Sequence, residues 1–206
     1  PSGPIWQWTA TQTAAAIRSG AISAEEAVRA HVERMAAVNP RLNAVVFDFS
    51  DDAIKAAKAA DRARAKGAEL GALHGVPITI KENVDYQGYP NPNGVKALLG
   101  QIAPSDAPVV RNLKKAGAIV LGLTNTPEFS FRAFTDNPLH GLTLNPWDDA
   151  ITCGGSSGGA ASAVAAGIGT IGHGNDIGGS LRWPAHCTGI VTIKPPAISS
   201  ARRAIS

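Results

Sequence analysis

Residues Gly154–Ala185 read GGSSGGAASAVAAGIGTIGHGNDIGGSLRWPA. Two serine sites set among glycines lie in this stretch, Gly154-Gly155-Ser156-Ser157-Gly158-Gly159 and Gly178-Gly179-Ser180. An Ala-rich helical run and the short apolar segment 168–171 separate them. Glycine lets backbone approach a neighbour or ligand without a Cβ clash. A serine displayed among glycines, with N–H groups beside it, has the parts of an acyl-transfer site: a hydroxyl nucleophile and donors for an oxyanion. Gly-rich loops that open helices also bind phosphate or simply turn the chain. A phosphate loop ends in Gly-Lys-Ser/Thr, whereas Ala160 follows Gly159 here. The dinucleotide pattern G-x-G-x-x-G fits neither serine site, so no cofactor is expected.

Working outward from this stretch, short apolar runs alternate with helical patterns from Gly71 onward. Val76–Ile80 (VPITI), Ala118–Leu123 (AIVLGL), Ile168–Gly172 and Gly189–Lys194 (GIVTIK) read as strands. Ala107–Ala116, Ser157–Ala166 and Gly179–Cys187 read as helices, with Pro108 in a first turn. The segments 86–99 and 124–149 read as loops rich in Gly, Pro and Asn. Alternation of this kind predicts an α/β fold with a mostly parallel mixed sheet flanked by helices.

Upstream lies an N-terminal helical layer, residues 1–70. Thr9–Ser19 is a short helix stopped by Gly20. Ser23 and Glu26 form a capping box for a helix that Asn39-Pro40 should end near Val38. Asn43–Asp48 reads as a strand, and Asp51–Lys66 as an amphipathic helix closed by Gly67. The α/β core then occupies 71–195, with an atypical tail, PAISSARRAIS, over 196–206.

Composition narrows the function classes. The chain has 206 residues, 44% hydrophobic and 17% charged, which describes a globular protein. A net charge of +3, with Lys and Arg dispersed, argues against nucleic acid. No apolar run approaches the ~20 residues of a membrane helix. Cys153 and Cys187 make neither a disulfide framework nor a C-x-x-C metal pattern; both read as buried free thiols, and no metal site is expected. No leader is legible, so the cytoplasm is the default location, although the chain starts at Pro1 without a Met.

Lys81 follows the apolar run Val76–Ile80 directly. Ligands sit at the C-terminal ends of strands in open parallel sheets. A desolvated lysine there has a lowered pKa and, when neutral, accepts a proton. Taken alone, such a lysine reads as a surface residue paired with Glu82.

Three motifs remove that ambiguity: GVPITIKEN (Gly75–Asn83), GGSSGG (Gly154–Gly159) and DIGGSLR (Asp176–Arg182). With GLTNTPEF (Gly122–Phe129) and Asn145-Pro146-Trp147, they stand in the order found in the amidase signature family, which this sequence resembles over nearly all of 71–195. The resemblance implies a Ser–Ser–Lys triad. Ser180 corresponds to the nucleophile, Ser156 to a bridging serine on a cis peptide bond, and Lys81 to the base. It also implies an oxyanion hole from the backbone N–H groups of Ile177, Gly178, Gly179 and Ser180. The expected partner is a small-molecule amide, and the expected reaction is C–N hydrolysis through an acyl-enzyme.

Supporting roles are expected for three more residues. Ser157 either donates a hydrogen bond within its loop or caps the following helix. Asp176 and Arg182 form an ion pair bracing the nucleophile loop. His173 and His186 read as satisfied structural histidines, since no G-x-S-x-G elbow is present. Trp183 and Phe129 read as core or rim.

The pattern departs from the family in two places. Glu82 stands where the family more often has Asp, and family members continue well beyond Pro195. The expectation is therefore a sheet with an unpaired edge, covered by a second copy of the chain or a complementary C-terminal segment. The competing functional readings are a catalytically incompetent remnant, a nucleotide-binding module, and a glutamine-hydrolysing amidotransferase subunit.

Overall fold

The computed structural model describes residues 1–195. Six helices are α1 (Ala10–Ser19), α2 (Ala24–Leu42), α3 (Ser50–Ala65), α4 (Pro108–Lys115), α5 (Gly158–Ala165) and α6 (Arg182–Thr188). Four strands, β1 (Val45–Asp48), β2 (Pro77–Lys81), β3 (Ile119–Thr124) and β4 (Ile171–Gly172), form one mixed sheet in the order β1-β3-β2-β4. β2 runs parallel to both β3 and β4, while β1 pairs antiparallel with β3.

The two central strands are buried along their whole length, as their unbroken apolar runs require. Ile119 and Leu121 of β3 enter a core with α2, α3 and α5, through Val28, Met35, Ala53, Ala57 and Ala163. Val120 and Leu123 enter a second core on the opposite face, with Ile78, Ile80 and Val110. Gly122 lies where β1 crosses closely: a Cβ there would sit 2.3 Å from the Phe47 carbonyl oxygen.

Several expectations are corrected. α2 runs through Pro40 to Leu42 instead of stopping near Val38. Pro40 forfeits one N–H in the last turn. Asn43 closes the helix in the left-handed conformation, its N–H donating to the Asn39 carbonyl at 2.8 Å, and Asn39 Oδ1 accepts from the N–H groups of Ala44 and Val45 beyond it at 2.9 Å each. The third strand is only Ile171–Gly172, and Gly189–Lys194 is no strand, with Val191 93% exposed. A ladder needs a partner, and among the described residues none lies beside that segment. The fourth strand is instead Val45–Asp48, from the N-terminal stretch. The last helix begins at Arg182 rather than Gly179. The tail 196–206 lies outside the described residues.

The sheet sets the geometry of the site. In the parallel ladder Lys81 stands beside Thr124, so both central strands end at one edge. α5 packs its glycine-rich start against that edge, and a Cβ on Gly159 would meet the Asn125 backbone N at 2.5 Å and O at 2.6 Å. Gly159→Ala should therefore destabilise the protein by roughly 1–3 kcal/mol or more through overpacking against backbone. Urea denaturation of the two proteins measures this, and equal midpoints would contradict the packing.

Candidate active site

Lys81 ends β2 with 0% of its surface exposed, so it is not a surface lysine. Its ammonium group does not pair with Glu82. Nζ instead lies 2.7 Å from Ser156 Oγ, 3.1 Å from Ser157 Oγ and 2.9 Å from Asn175 Oδ1. Burial pushes its pKa from 10.5 down to about 7, against the opposing pull of Glu82 and Asp176. Near neutrality a large fraction of this amine is therefore uncharged and able to take a proton.

Ser156 and Ser157 are buried in the loop before α5, and the Gly155–Ser156 peptide is cis. The loop is clamped from outside. Thr135 Oγ1 donates to the Gly154 carbonyl at 2.9 Å and accepts from Gly158 N–H at 3.2 Å. Ser157 does not cap α5 through its side chain. Its hydroxyl donates to the Asn175 carbonyl at 3.3 Å, which leaves the oxygen free to accept from Lys81.

The two serine loops meet through backbone: Ser157 N–H donates to the Ser180 carbonyl at 3.1 Å. Ser180 is half-buried, and its hydroxyl has no hydrogen-bond partner among the described residues. Around it the chain curls about Asp176. The Asp176 carboxylate accepts from Gly179, Leu181 and Arg182 N–H at 2.9, 3.0 and 3.2 Å, and it pairs with Arg182 Nη2 at 2.9 Å. The Arg182 guanidinium, followed by these backbone donors, holds the carboxyl well below the usual carboxylate range.

This arrangement sorts the expected oxyanion donors. Gly179 N–H is turned inward to Asp176. The N–H groups of Ile177, Gly178 and Ser180 have no acceptor among the described residues. Ile177 is fully exposed, and Gly178 is exposed beside it.

His173 is not the satisfied histidine expected: its buried Nδ1 has no partner. Burial, aided by Lys81, lowers its pKa to about 4, so it stays neutral. His186 is exposed and stacks on Trp183. Trp183 and Phe129 lie at the rim, 42% and 54% exposed. Cys153 is buried as expected and its thiol pKa is raised to about 12 by desolvation, but Cys187 is only half-buried. Among the described residues, no three His, Cys, Asp or Glu side chains gather as a metal-ligand set. No helix among them is long and apolar enough to cross a membrane.

Sequence reading missed Asn175 and the amides behind it. Asn175 Nδ2 donates to Asn83 Oδ1 at 3.0 Å, and Asn83 Nδ2 donates to Ser130 Oγ at 3.1 Å. Asn83 was within reach of the strand-end argument, since it follows Lys81 by two residues. Glu82, read as a partner of Lys81, is buried and instead accepts from Gly94 N–H at 2.9 Å and faces His140 Nε2 at 3.0 Å. The recurring Asn-Pro-Trp is a clamp on α6. Asn145 Nδ2 reaches the Cys187 carbonyl at 2.9 Å, and Trp147 Nε1 the Thr188 carbonyl at 2.7 Å.

Proteins already known resemble this chain over most of its length. The Amidase family model matches residues 26–204. An indoleacetamide hydrolase of Bradyrhizobium diazoefficiens is 80% identical over 195 residues, covering 95% of this chain and 37% of that protein. One subunit of the glutamyl-tRNA(Gln) amidotransferase of Acidothermus cellulolyticus is 46% identical, over 91% of this chain and 37% of the other. The crystal structure of a bacterial aryl acylamidase of the amidase signature family superposes with a TM-score of 0.84 at 35% identity, covering 89% of this chain and 38% of that one. The chain thus spans a little over a third of the length of the curated relatives it matches.

The buried amine also has a thermodynamic signature. Between its folded value of about 7 and its ordinary 10.5, the unfolded lysine binds more protons than the folded one. Stability contributed by this group therefore rises with pH across that window. Lys81→Met should remove that slope, so urea midpoints of variant and parent, measured from pH 6.5 to 10.5, should diverge in favour of the parent as pH rises. Parallel curves would contradict a buried, depressed amine.

Proposed function

The chain belongs to the Amidase family, and on that premise we propose that it carries the nucleophile, proton relay and oxyanion donors of an amide hydrolase. Neutral Lys81 takes the Ser156 proton, Ser156 takes the Ser180 proton, and Ser180 Oγ attacks the acyl carbon. The N–H groups of Ile177, Gly178 and Ser180 receive the developing oxyanion; one such donor lowers a barrier by roughly 3 kcal/mol. The relay returns a proton to the leaving amine, and water releases the acyl group from Ser180. The contact that carries this reading is Lys81 Nζ to Ser156 Oγ, 2.7 Å long inside a desolvated pocket.

The substrate class follows from similarity and from the rim. The relative at 80% identity is an indoleacetamide hydrolase. Phe131, Phe134, Ile177 and Trp183, on segments flanking the two loops, are exposed apolar side chains suited to an aromatic or aliphatic substrate. We therefore assign primary amides of arylacetic acids as the substrates to test first. The amidotransferase relative favours a second reading, glutamine hydrolysis.

Ammonia release from indole-3-acetamide and from glutamine, assayed on the protein at its full natural length, separates the two. Ser180→Ala should lower turnover by at least about 10³-fold. Because the base works uncharged, kcat/KM should rise with pH through a half-point near 7. A fluorophosphonate probe should label the parent and not Ser180→Ala; persistent labelling in the variant would refute the nucleophile assignment.

A further inference from the structure

A tetrahedral amine has three directions besides its carbon, and here all three are occupied. Nζ of Lys81 faces Ser156 Oγ, Ser157 Oγ and Asn175 Oδ1 at 2.7, 3.1 and 2.9 Å. In the uncharged amine two directions are N–H bonds and the third is the lone pair. A base acting on Ser156 must place the lone pair there, and the surrounding hydrogen bonds decide whether it does.

Ser157 has already spent its proton on the Asn175 carbonyl at 3.3 Å, so its oxygen can only accept from Lys81. An amide oxygen carries no proton, so Asn175 Oδ1 can only accept as well. Its orientation is set from behind. Asn175 Nδ2 donates to Asn83 Oδ1 at 3.0 Å. Asn83 Nδ2 donates to Ser130 Oγ at 3.1 Å, whose hydroxyl donates to Asn93 Oδ1 at 2.8 Å. Both N–H bonds of the neutral amine are thereby claimed, one through the Asn175 side chain and one through its backbone. The direction left over is Ser156.

We infer that Asn175 is a positioning residue, aiming the Lys81 lone pair at the Ser156 hydroxyl through its amide oxygen and its own carbonyl. The inference rests on the reading of Lys81 as the base. Ser130, on which the amide chain hangs, sits at φ +60°, and its neighbour Phe129 at φ +53°. Two consecutive non-glycine residues in the left-handed region are costly and persist only where surroundings hold them. Here Asn93 and Thr126 hold the Ser130 hydroxyl, the latter at 3.0 Å.

The test is the rate of Ser180 labelling by a fluorophosphonate, followed from pH 5 to 10.5 in the protein at its full natural length. Asn175→Asp is nearly isosteric but carries a charge that holds Lys81 protonated. Its half-point should move up by about one pH unit or more, so labelling at pH 7 should fall about fivefold or more and recover by pH 10. Asn175→Leu removes the fixed acceptor, and its rate should fall about tenfold or more without recovering at high pH. The other titratable groups whose charge or burial bears on Lys81, Glu82 just after its strand, Asp176 on the nucleophile loop and His173 after β4, are the same in every variant. Asn175→Asp behaving as the parent, or slowed equally at all pH, would overturn the positioning role. Lys81→Met decides the reading beneath it. If that variant is labelled as fast as the parent, the base assignment fails and the inference with it. If it is silent while Asn175→Asp keeps the parent's half-point, only the inference fails. Should Asn175→Leu not fold, the shift or constancy of the Asn175→Asp half-point remains decisive.

Discussion

An amine removed from water is the constraint around which this molecule is arranged. Burying a charged ammonium costs several kcal/mol unless it is paired, and Lys81 has no carboxylate in contact. Its neighbours are two hydroxyls and an amide, none of which carries a charge to offset the loss of water. The depressed pKa is the direct result. The same burial that costs the fold stability leaves an uncharged amine near neutral pH, a trade common where chemistry and packing share a site.

Holding three loops around that amine takes more than hydrophobic packing. Each loop is tied by a polar side chain that makes two or more hydrogen bonds to it or, on α6, by a pair of side chains. Thr135 fixes the loop before α5, Asp176 gathers the turn before α6, and Asn145 with Trp147 anchors the far end of α6. Asn125 does the same beneath, donating to the Gly141 carbonyl and Thr143 at 3.0 Å each. Thr135, Asn145 and Asn125 are buried and bond to loop backbone, so a loop rich in glycine keeps one conformation.

Much of this is legible in the sequence. The Ser23–Glu26 capping box forms as written, with Ser23 N–H to Glu26 Oε2 at 2.7 Å. The apolar runs of β2 and β3 became the buried central strands within a residue of the expected limits. The Asp176–Arg182 pair also formed. Local rules failed where long-range partners decided. Gly189–Lys194 has the apolar content of a strand but no ladder to join among the described residues. Pro40 should have ended α2, yet the helix runs on to Leu42 and is closed by Asn43 in the left-handed conformation. Ser157 had the position of an N-cap, but its proton goes to a residue eighteen positions away.

The sequence by itself determined the fold class, the family resemblance and the identity of Lys81, Ser156 and Ser180 as candidates. Each rests on local order: apolar runs, glycine spacing and motif succession, which neighbours along the chain can specify. Only the tertiary structure decided that Gly179 N–H turns inward while those of Ile177, Gly178 and Ser180 have no acceptor among the described residues. It alone revealed that β1 completes the sheet and that Asn175, not Glu82, faces the amine. Hydrogen-bond direction and desolvation depend on atoms brought together from positions 81, 156 and 175, and no pattern along one segment encodes them.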